Sequence, residues 1–173
     1  MNNNIYLTGF MGAGKSAIGR RLAKCLGYRF VDLDQLVVAR EGKSIPEIFA
    51  SHGEAYFRDC EAAILAEQAN TVNAVFATGG GIVARTENRM QMKQSGRIVY
   101  LRAEWTTLQR RLGRGSGRPL ADPQKGWEAI RMLWESRLPW YEEADLVIDT
   151  DHLRLGAVVN EIVSRLGLEV AER

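Results

Sequence analysis

The sequence lacks the features that mark membrane, secreted and multidomain proteins. No apolar run approaches the roughly 20 residues needed to span a bilayer. Residues 1–4 have neither the basic segment nor the apolar core of a signal peptide. Repeats, low-complexity tracts and Pro/Ser-rich linkers are also missing. We therefore expect a single domain over residues 1–173, located in the cytoplasm and not attached to a membrane.

Cysteine and histidine are scarce, with 2 of each. Two thiols in an intracellular protein are usually reduced and inert, so we expect Cys25 and Cys60 to be buried free thiols. His52 and His152 lie in no recognisable motif, which argues against a cysteine nucleophile activated by histidine.

Charge of either sign is not in large excess, because the formal net charge is only +2. This value gives no reason to expect nucleic acid or a membrane surface as a partner. The local distribution is uneven, with four arginines around the glycines of residues 113–117: Arg110, Arg111, Arg114 and Arg118. By itself such a segment is either a solvated loop or a mobile cover over a polyanion.

Short apolar runs alternate with longer segments of helical period. Strands are predicted at 5–7, 28–32, 72–77, 97–101 and 145–149. Helices are predicted at 17–26, 54–69, 85–94, 104–112, 124–143 and 155–166. This alternation predicts an α/β fold with a parallel sheet covered on both faces.

The segment 9–16, GFMGAGKS, has the full GxxxxGK[ST] pattern between a predicted strand and a predicted helix. Its glycines let backbone N–H groups turn inward toward phosphate, and the helix dipole adds positive potential. Lys15 is expected to reach the β- and γ-phosphates, and Ser16 to offer its hydroxyl to Mg²⁺. The pattern predicts binding of the ATP polyphosphate and leaves open whether the protein switches, pumps or phosphorylates.

Asp32 and Asp34 flank Leu33 just past the second predicted strand. Side chains two apart on an extended segment share a face, and ligands of open α/β sheets bind at this end. One carboxylate is therefore a candidate for Mg²⁺, and the other for accepting a hydrogen bond from an attacking hydroxyl. The alternative is an ordinary turn in which Asp34 caps a helix.

The third strand is followed by three glycines, Gly79, Gly80 and Gly81. They either form a flexible loop or expose backbone N–H groups to a closely bound ligand. Because no aspartate ends this strand, Asp32 is the better metal candidate. Arg58 and Glu61 are three residues apart on a predicted helix and are therefore neighbours on its surface. They form either an exposed ion pair or a pair in which Glu61 holds the Arg58 guanidinium in place for a substrate carboxylate.

Six motifs in order along nearly the whole chain resemble the shikimate kinase family. They are GFMGAGKS at 9–16, FVDLD at 30–34, GExxFRxxE at 53–61, TGGG at 78–81, RPL at 118–120 and RxPxY at 137–141. The resemblance implies a fold like that of nucleoside monophosphate kinases. Its five-stranded parallel sheet has the order 2-3-1-4-5, with a helical substrate-binding segment at about 33–61 and a lid at about 112–124. It also implies transfer of the ATP γ-phosphoryl group to the shikimate 3-hydroxyl, in the route to chorismate and aromatic amino acids.

The resemblance further implies a role for each matching residue. The catalytic residues are Lys15, Asp34 and Arg118. ATP is bound by Gly12, Ala13, Gly14, Lys15, Ser16, Ala17, Arg111, Arg118 and Arg154. Shikimate is bound by Asp34, Arg58, Gly80, Gly81 and Arg137, with Glu61 orienting the arginines. One Mg²⁺ is held by Ser16 and Asp32, and the protein is expected to be a monomer.

Two positions depart from the family pattern. Ala17 stands where many relatives have Thr, and Leu155 where many have Pro in the loop near adenine. Two other functions are compatible with the P-loop. One is a gluconate or nucleotide kinase of the same fold, and the other is a nucleotide-dependent switch or regulatory binding module. The arginine pair and TGGG argue against the first, and the absence of a guanine-reading Asn-Lys-x-Asp stretch argues against the second.

Overall fold

The computed structural model describes residues 3–68, 70–113, 120 and 126–171. The strands are β1 (Asn4–Thr8), β2 (Arg29–Asp32), β3 (Ala74–Ala77), β4 (Gly96–Arg102) and β5 (Leu146–Asp149). The helices are α1 (Lys15–Leu26), α2 (Leu33–Glu41), α3 (Ile45–Glu67), α4 (Thr86–Ser95), α5 (Trp105–Leu112), α6 (Trp127–Tyr141) and α7 (Leu155–Leu166). A short 3₁₀ helix, Ile82–Ala84, follows β3.

All five strands run parallel in the order β2-β3-β1-β4-β5, which confirms the predicted fold. Every residue of the central strand β1 is buried, as expected for a parallel sheet with helices on both faces. On its face, the rings of Tyr6 and Phe76 stack with centroids 4.7 Å apart. The described helices include none long and apolar enough to cross a membrane.

The strand register brings several chain segments to one edge of the sheet. Ala77 of β3 lies opposite Leu7 of β1 on one side and opposite Asp32 of β2 on the other. The residues that follow these strands therefore lie side by side at the carboxyl ends. This is where the P-loop, the two aspartates and the three glycines come together.

The helix α1 packs closely on the sheet through its small residues. Its buried stripe is Ile18, Gly19, Leu22, Ala23 and Leu26. A Cβ at Gly19 would lie 2.7 Å from the Phe30 ring, so only glycine allows this approach. Packing of α1 on the sheet fixes the P-loop at its N-terminus.

The predicted elements are present, with ends that differ by at most three residues. Periodicity alone left α2 and the first part of α3 unassigned, although the resemblance implied a helical segment at about 33–61. The α3 backbone is non-helical at Gly53 (φ 80°), so the predicted helix 54–69 corresponds to the part after this kink. A local signal marks the earlier start, because the Ser44 N–H donates to Glu47 Oε2 at 2.8 Å in a capping box. Both cysteines are free thiols, and Cys60 is buried as predicted, whereas Cys25 is only half-buried.

Candidate active site

The P-loop owes its shape to three glycines with positive φ. Gly9, Gly12 and Gly14 have φ of 139°, 84° and 92°, values that side chains disfavour. A Cβ at Gly9 would also lie 2.7 Å from the Leu101 carbonyl oxygen. The loop leads directly into α1, whose first backbone N–H groups have no intrahelical partner. Such a helix N-terminus is a binding site for phosphate.

The Lys15 side chain lies back over the loop that precedes it. Its Nζ donates to the carbonyl oxygens of Gly9 at 2.7 Å and Phe10 at 3.0 Å. These contacts hold the ammonium group at the mouth of the loop. The loop therefore combines backbone donors and a positive charge, the combination that a polyphosphate requires.

Ser16 and Asp32 are joined by a hydrogen bond, in which Ser16 Oγ donates to Asp32 Oδ2 at 2.7 Å. Hydroxyl and carboxylate oxygens are the ligands that Mg²⁺ prefers, so the pair fits the predicted metal role. In the described part of the chain, no group of three or more His, Cys, Asp or Glu side chains could hold a metal. An ion here would complete its shell with phosphate oxygens and water.

Asp32 also caps α2, because its Oδ1 accepts a hydrogen bond from the Gln35 N–H at 3.4 Å. The alternative interpretation, which gave the capping role to Asp34, is therefore wrong. Asp34 is the second residue of the helix, is 4% exposed and lines the neighbouring cavity. The two aspartates thus serve different sites, one beside the P-loop serine and the other inside the cavity.

A cavity of about 340 Å³ lies beside the P-loop. It is lined by Met11, Asp34, Ile45, Phe49, Phe57, Arg58, Glu61, Gly79, Gly80, Gly81, Leu120 and Arg137. All the residues predicted to bind or orient the substrate are therefore brought together. No sequence motif predicted the apolar wall, because its aromatic residues Phe49 and Phe57 individually resemble ordinary core positions.

Packing requires glycine at two of the three consecutive glycines, Gly79 and Gly81, and the segment is not a loose loop. A Cβ at Gly79 would lie 2.1 Å from Glu61 Oε1, and one at Gly81 would lie 2.3 Å from the Arg58 guanidinium. A Cβ at Gly80 would meet the Met11 backbone nitrogen at 3.4 Å. The glycine segment therefore lets two charged side chains and the P-loop approach one stretch of backbone. The Tyr141 hydroxyl completes this wall by donating to the Gly80 carbonyl.

Arg58 and Glu61 form a largely buried ion pair, with side chains 12% and 1% exposed. The other carboxylate of Arg58 is Glu54, which accepts a hydrogen bond from it at 3.1 Å. Burial lowers the pKa of the Arg58 guanidinium, but Glu61 and Glu54 outweigh this effect and raise it. Burial raises the pKa of the Glu61 carboxyl, although Arg58 opposes the shift. The exposed-pair alternative is therefore excluded.

Arg137 lines the same cavity and is 4% exposed. Among the residues with described positions, no carboxylate lies within 4 Å of its guanidinium, which is 5.9 Å from the Phe10 ring centroid. Burial lowers the pKa of this guanidinium, and Arg58 lowers it further, whereas Tyr141 opposes them. A buried cation without an anionic partner is unfavourable, so an anion entering the cavity would be stabilised here.

A second groove lies on the other side of the P-loop. Its lining is Gly12, Ala13, Gly14, Ala17, Ile18, Arg111, Thr150, Leu153, Leu155 and Val158. Arg111 Nη1 donates to the Gly12 carbonyl at 2.9 Å and so joins α5 to the loop. Arg154 is exposed at the start of α7, between the two leucines of the lining. Arg118 and most of the predicted lid lie outside the described residues.

Comparisons with known proteins agree with this arrangement. A family model described as Shikimate kinase matches residues 11–167. The shikimate kinase of Persephonella marina is 42% identical over 163 residues, which are 94% of this chain and 98% of that protein. The structure of shikimate kinase from Acinetobacter baumannii in complex with shikimate is 36% identical, with a TM-score of 0.91, covering 96% of this chain and 93% of that one. Shikimate kinase from Aquifex aeolicus is also 36% identical, with a TM-score of 0.84 and coverage of 95% and 96%. With a matching family model over most of its length and relatives of nearly the same extent, this chain belongs to the shikimate kinase family.

Proposed function

We propose that this protein transfers the γ-phosphoryl group of ATP to the 3-hydroxyl of shikimate, giving shikimate 3-phosphate and ADP. This reaction belongs to the route to chorismate and aromatic amino acids. The observation that carries the proposal is the buried guanidinium of Arg137 in a cavity that also holds Arg58 and Asp34. Such a cavity suits a small acceptor with one carboxylate and several hydroxyls.

The acceptor carboxylate binds between Arg58 and Arg137. The Arg58 guanidinium is held by two carboxylates, that of the buried Glu61 and that of the exposed Glu54. A guanidinium fixed in this way loses little entropy when it binds a carboxylate through two parallel hydrogen bonds. The backbone of Gly80 and Gly81 supplies further contacts at the cavity wall.

Asp34 receives the hydroxyl end of the acceptor. Its carboxylate lies in the cavity wall, on the side where β2 ends near the P-loop. In phosphoryl transfer the protein contributes mainly positioning and charge stabilisation, and a carboxylate takes the proton of the attacking hydroxyl. Asp34 therefore orients the 3-hydroxyl and accepts its proton as the new P–O bond forms.

The P-loop and Lys15 hold the donor. The ammonium group of Lys15 lies at the mouth of the loop and there neutralises charge on the β- and γ-phosphates. Ser16 and Asp32 would hold one Mg²⁺, which when bound offsets charge on the phosphate oxygens. Arg118 remains a predicted third cation for the transferring group, and Arg111 is proposed to cover the base.

A panel of acceptors tests the proposal. ADP release from ATP is measured with shikimate, gluconate and nucleoside monophosphates at equal concentrations. We expect only shikimate to accelerate release, with the phosphate on its 3-hydroxyl by ³¹P NMR. Equal or greater acceleration by gluconate or a nucleotide would contradict the proposal and support another kinase of this fold.

We also propose that the protein is a monomer, is located in the cytoplasm, and binds neither nucleic acid nor membranes.

A further inference from the structure

The groove beside the P-loop contains both positions at which the sequence departs from its family pattern. Ala17 and Leu155 both belong to its lining, which also includes Ile18, Leu153 and Val158. With Ala13, six apolar side chains thus form most of the described side-chain surface of a groove of about 490 Å³. If the P-loop binds the polyphosphate as proposed above, the base of the nucleotide enters this groove.

Among the described residues of the lining, two have polar side chains, and both are already engaged by backbone carbonyls. Thr150 is 3% exposed, and its Oγ1 donates to the Arg102 carbonyl at 3.0 Å. Arg111 Nη1 donates to the Gly12 carbonyl at 2.9 Å. The bond to the Gly12 carbonyl fixes the Arg111 guanidinium near the groove, where its flat face can pack on a base.

The carboxylates of the same loop are also directed elsewhere. Asp151 Oδ2 accepts a hydrogen bond from the Glu104 N–H at 2.9 Å, at the start of α5. Asp149 pairs with Arg102 through two hydrogen bonds. A carboxylate facing the base is the usual way to recognise the N1–H and amino groups of guanine. Neither aspartate is among the described residues that line the groove, and the second oxygen of Asp151, Oδ1, is buried away from solvent.

Stacking and apolar contact discriminate weakly between bases, because every base has a π-face. A site that hydrogen-bonds a particular substrate group rejects the analogue lacking it by about 10⁴-fold, whereas an apolar pocket achieves only about 10–200-fold. We propose that the donor site accepts purine nucleoside triphosphates as a class, so that ITP and GTP replace ATP. The reaction is unchanged: the bond from the γ-phosphorus to the bridging oxygen breaks, a bond to the acceptor hydroxyl forms, and its proton passes to Asp34.

The test compares kcat/KM for ATP, ITP and GTP at saturating shikimate and Mg²⁺. The inference predicts that both ITP and GTP lie within ~100-fold of ATP. A loss of more than this factor for either would overturn it and would indicate hydrogen-bonded reading of the base, for example by the backbone of residues 151–154. Calorimetric titration with ADP, IDP and GDP gives an independent readout, with affinities expected to follow the same order.

A pair of variants checks that the groove is responsible. Leu153→Ala should raise the KM for ATP and ITP by the same factor, about 3- to 10-fold, because both lose the same apolar contact. Val72→Ala, an exposed residue outside the groove, should change neither. A Leu153→Ala variant that changes the ATP-to-ITP ratio more than threefold would contradict the inference. Failure of every triphosphate to phosphorylate shikimate would instead contradict the proposed function, whereas use of ATP alone would contradict only this inference.

Discussion

Gly79 lies so close to Glu61 that a Cβ on the glycine would be 2.1 Å from Glu61 Oε1 and 2.9 Å from Asp34 Oδ1. Gly79 therefore lies against the carboxylates of both Glu61 and Asp34. Glu61 in turn holds Arg58, whose guanidinium lies against Gly81. The spacing between the carboxylate-binding end and the hydroxyl-binding end of the cavity thus depends on the small size of these glycines.

Replacing Gly79 by alanine should therefore damage substrate binding. The methyl group must displace two buried carboxylates, and overpacking of this kind costs about 1–3 kcal/mol of unfolding free energy. We expect the shikimate KM to rise at least tenfold in Gly79→Ala. Gly80→Ala is the matched control, because its Cβ would meet its nearest neighbour at 3.4 Å and should cost less than about 1 kcal/mol. Steady-state kinetics and urea unfolding check both, and a more severe defect at Gly80 would contradict this packing argument.

Arg137 should contribute to acceptor binding more than to chemistry. Removing a buried cation that pairs with the substrate carboxylate should raise the shikimate KM at least tenfold in Arg137→Ala, with kcat within about threefold. Arg131→Ala is the control, because Arg131 lies on the same helix but is exposed and pairs with Glu135. A normal KM in Arg137→Ala, or an equal defect in Arg131→Ala, would show that the carboxylate binds elsewhere.

Asp32 has two roles that substitutions can separate. Asparagine still accepts the capping hydrogen bond from Gln35, so Asp32→Asn should leave the unfolding free energy within about 0.5 kcal/mol. Loss of the negative charge in Asp32→Asn should lower kcat at least tenfold and raise the Mg²⁺ concentration required for half-maximal rate. Asp32→Ala should show the same catalytic defect and also lose about 1 kcal/mol of stability. A wild-type Mg²⁺ dependence in Asp32→Asn would remove this residue from the metal site.

The buried carboxyl of Glu61 should make stability depend on pH. Burial raises its pKa above the ordinary 4.5, opposed by Arg58 and reinforced by Asp34. The folded state therefore binds this proton more tightly than the unfolded chain, so its contribution is fully present below pH 4.5 and is lost as pH rises through the folded-state pKa. Urea unfolding from pH 4 to 8 should show wild type losing stability relative to Glu61→Gln. Parallel curves would mean that the pKa of Glu61 is unshifted.

The P-loop and the strands could be predicted from the sequence because their determinants are local or belong to a motif, whereas the strand order followed only from the family resemblance. Glycines at fixed offsets before Lys15 specify the loop, and short apolar runs specify strands. The start of α3 was missed because helical periodicity alone was considered, although Ser44 and Glu47 form a capping box. The alternative in which Asp34 caps a helix was wrong because spacing alone does not show where a helix begins, and Asp32 is the capping residue.

Other relationships depend on tertiary packing and have no sequence signal. Gly79 fits against Glu61 only because the segment that follows β3 lies against α3, and no pattern specifies a clearance of this size. No described carboxylate lies within 4 Å of the Arg137 guanidinium, and this arrangement arises only when α6 packs beside the cavity. The apolar wall of the acceptor cavity likewise comes from three separate elements, and its residues individually resemble ordinary core positions.

The most direct test of the proposed reaction is the rate of ADP formation from ATP and Mg²⁺ with and without shikimate. Because the bound acceptor supplies the positioned hydroxyl, the proposed reaction predicts little turnover of ATP alone and a shikimate-dependent rate at least ~100-fold higher. Stoichiometric formation of shikimate 3-phosphate should accompany the ADP. An ADP rate that is the same with and without shikimate would contradict the assignment of the cavity as the acceptor site.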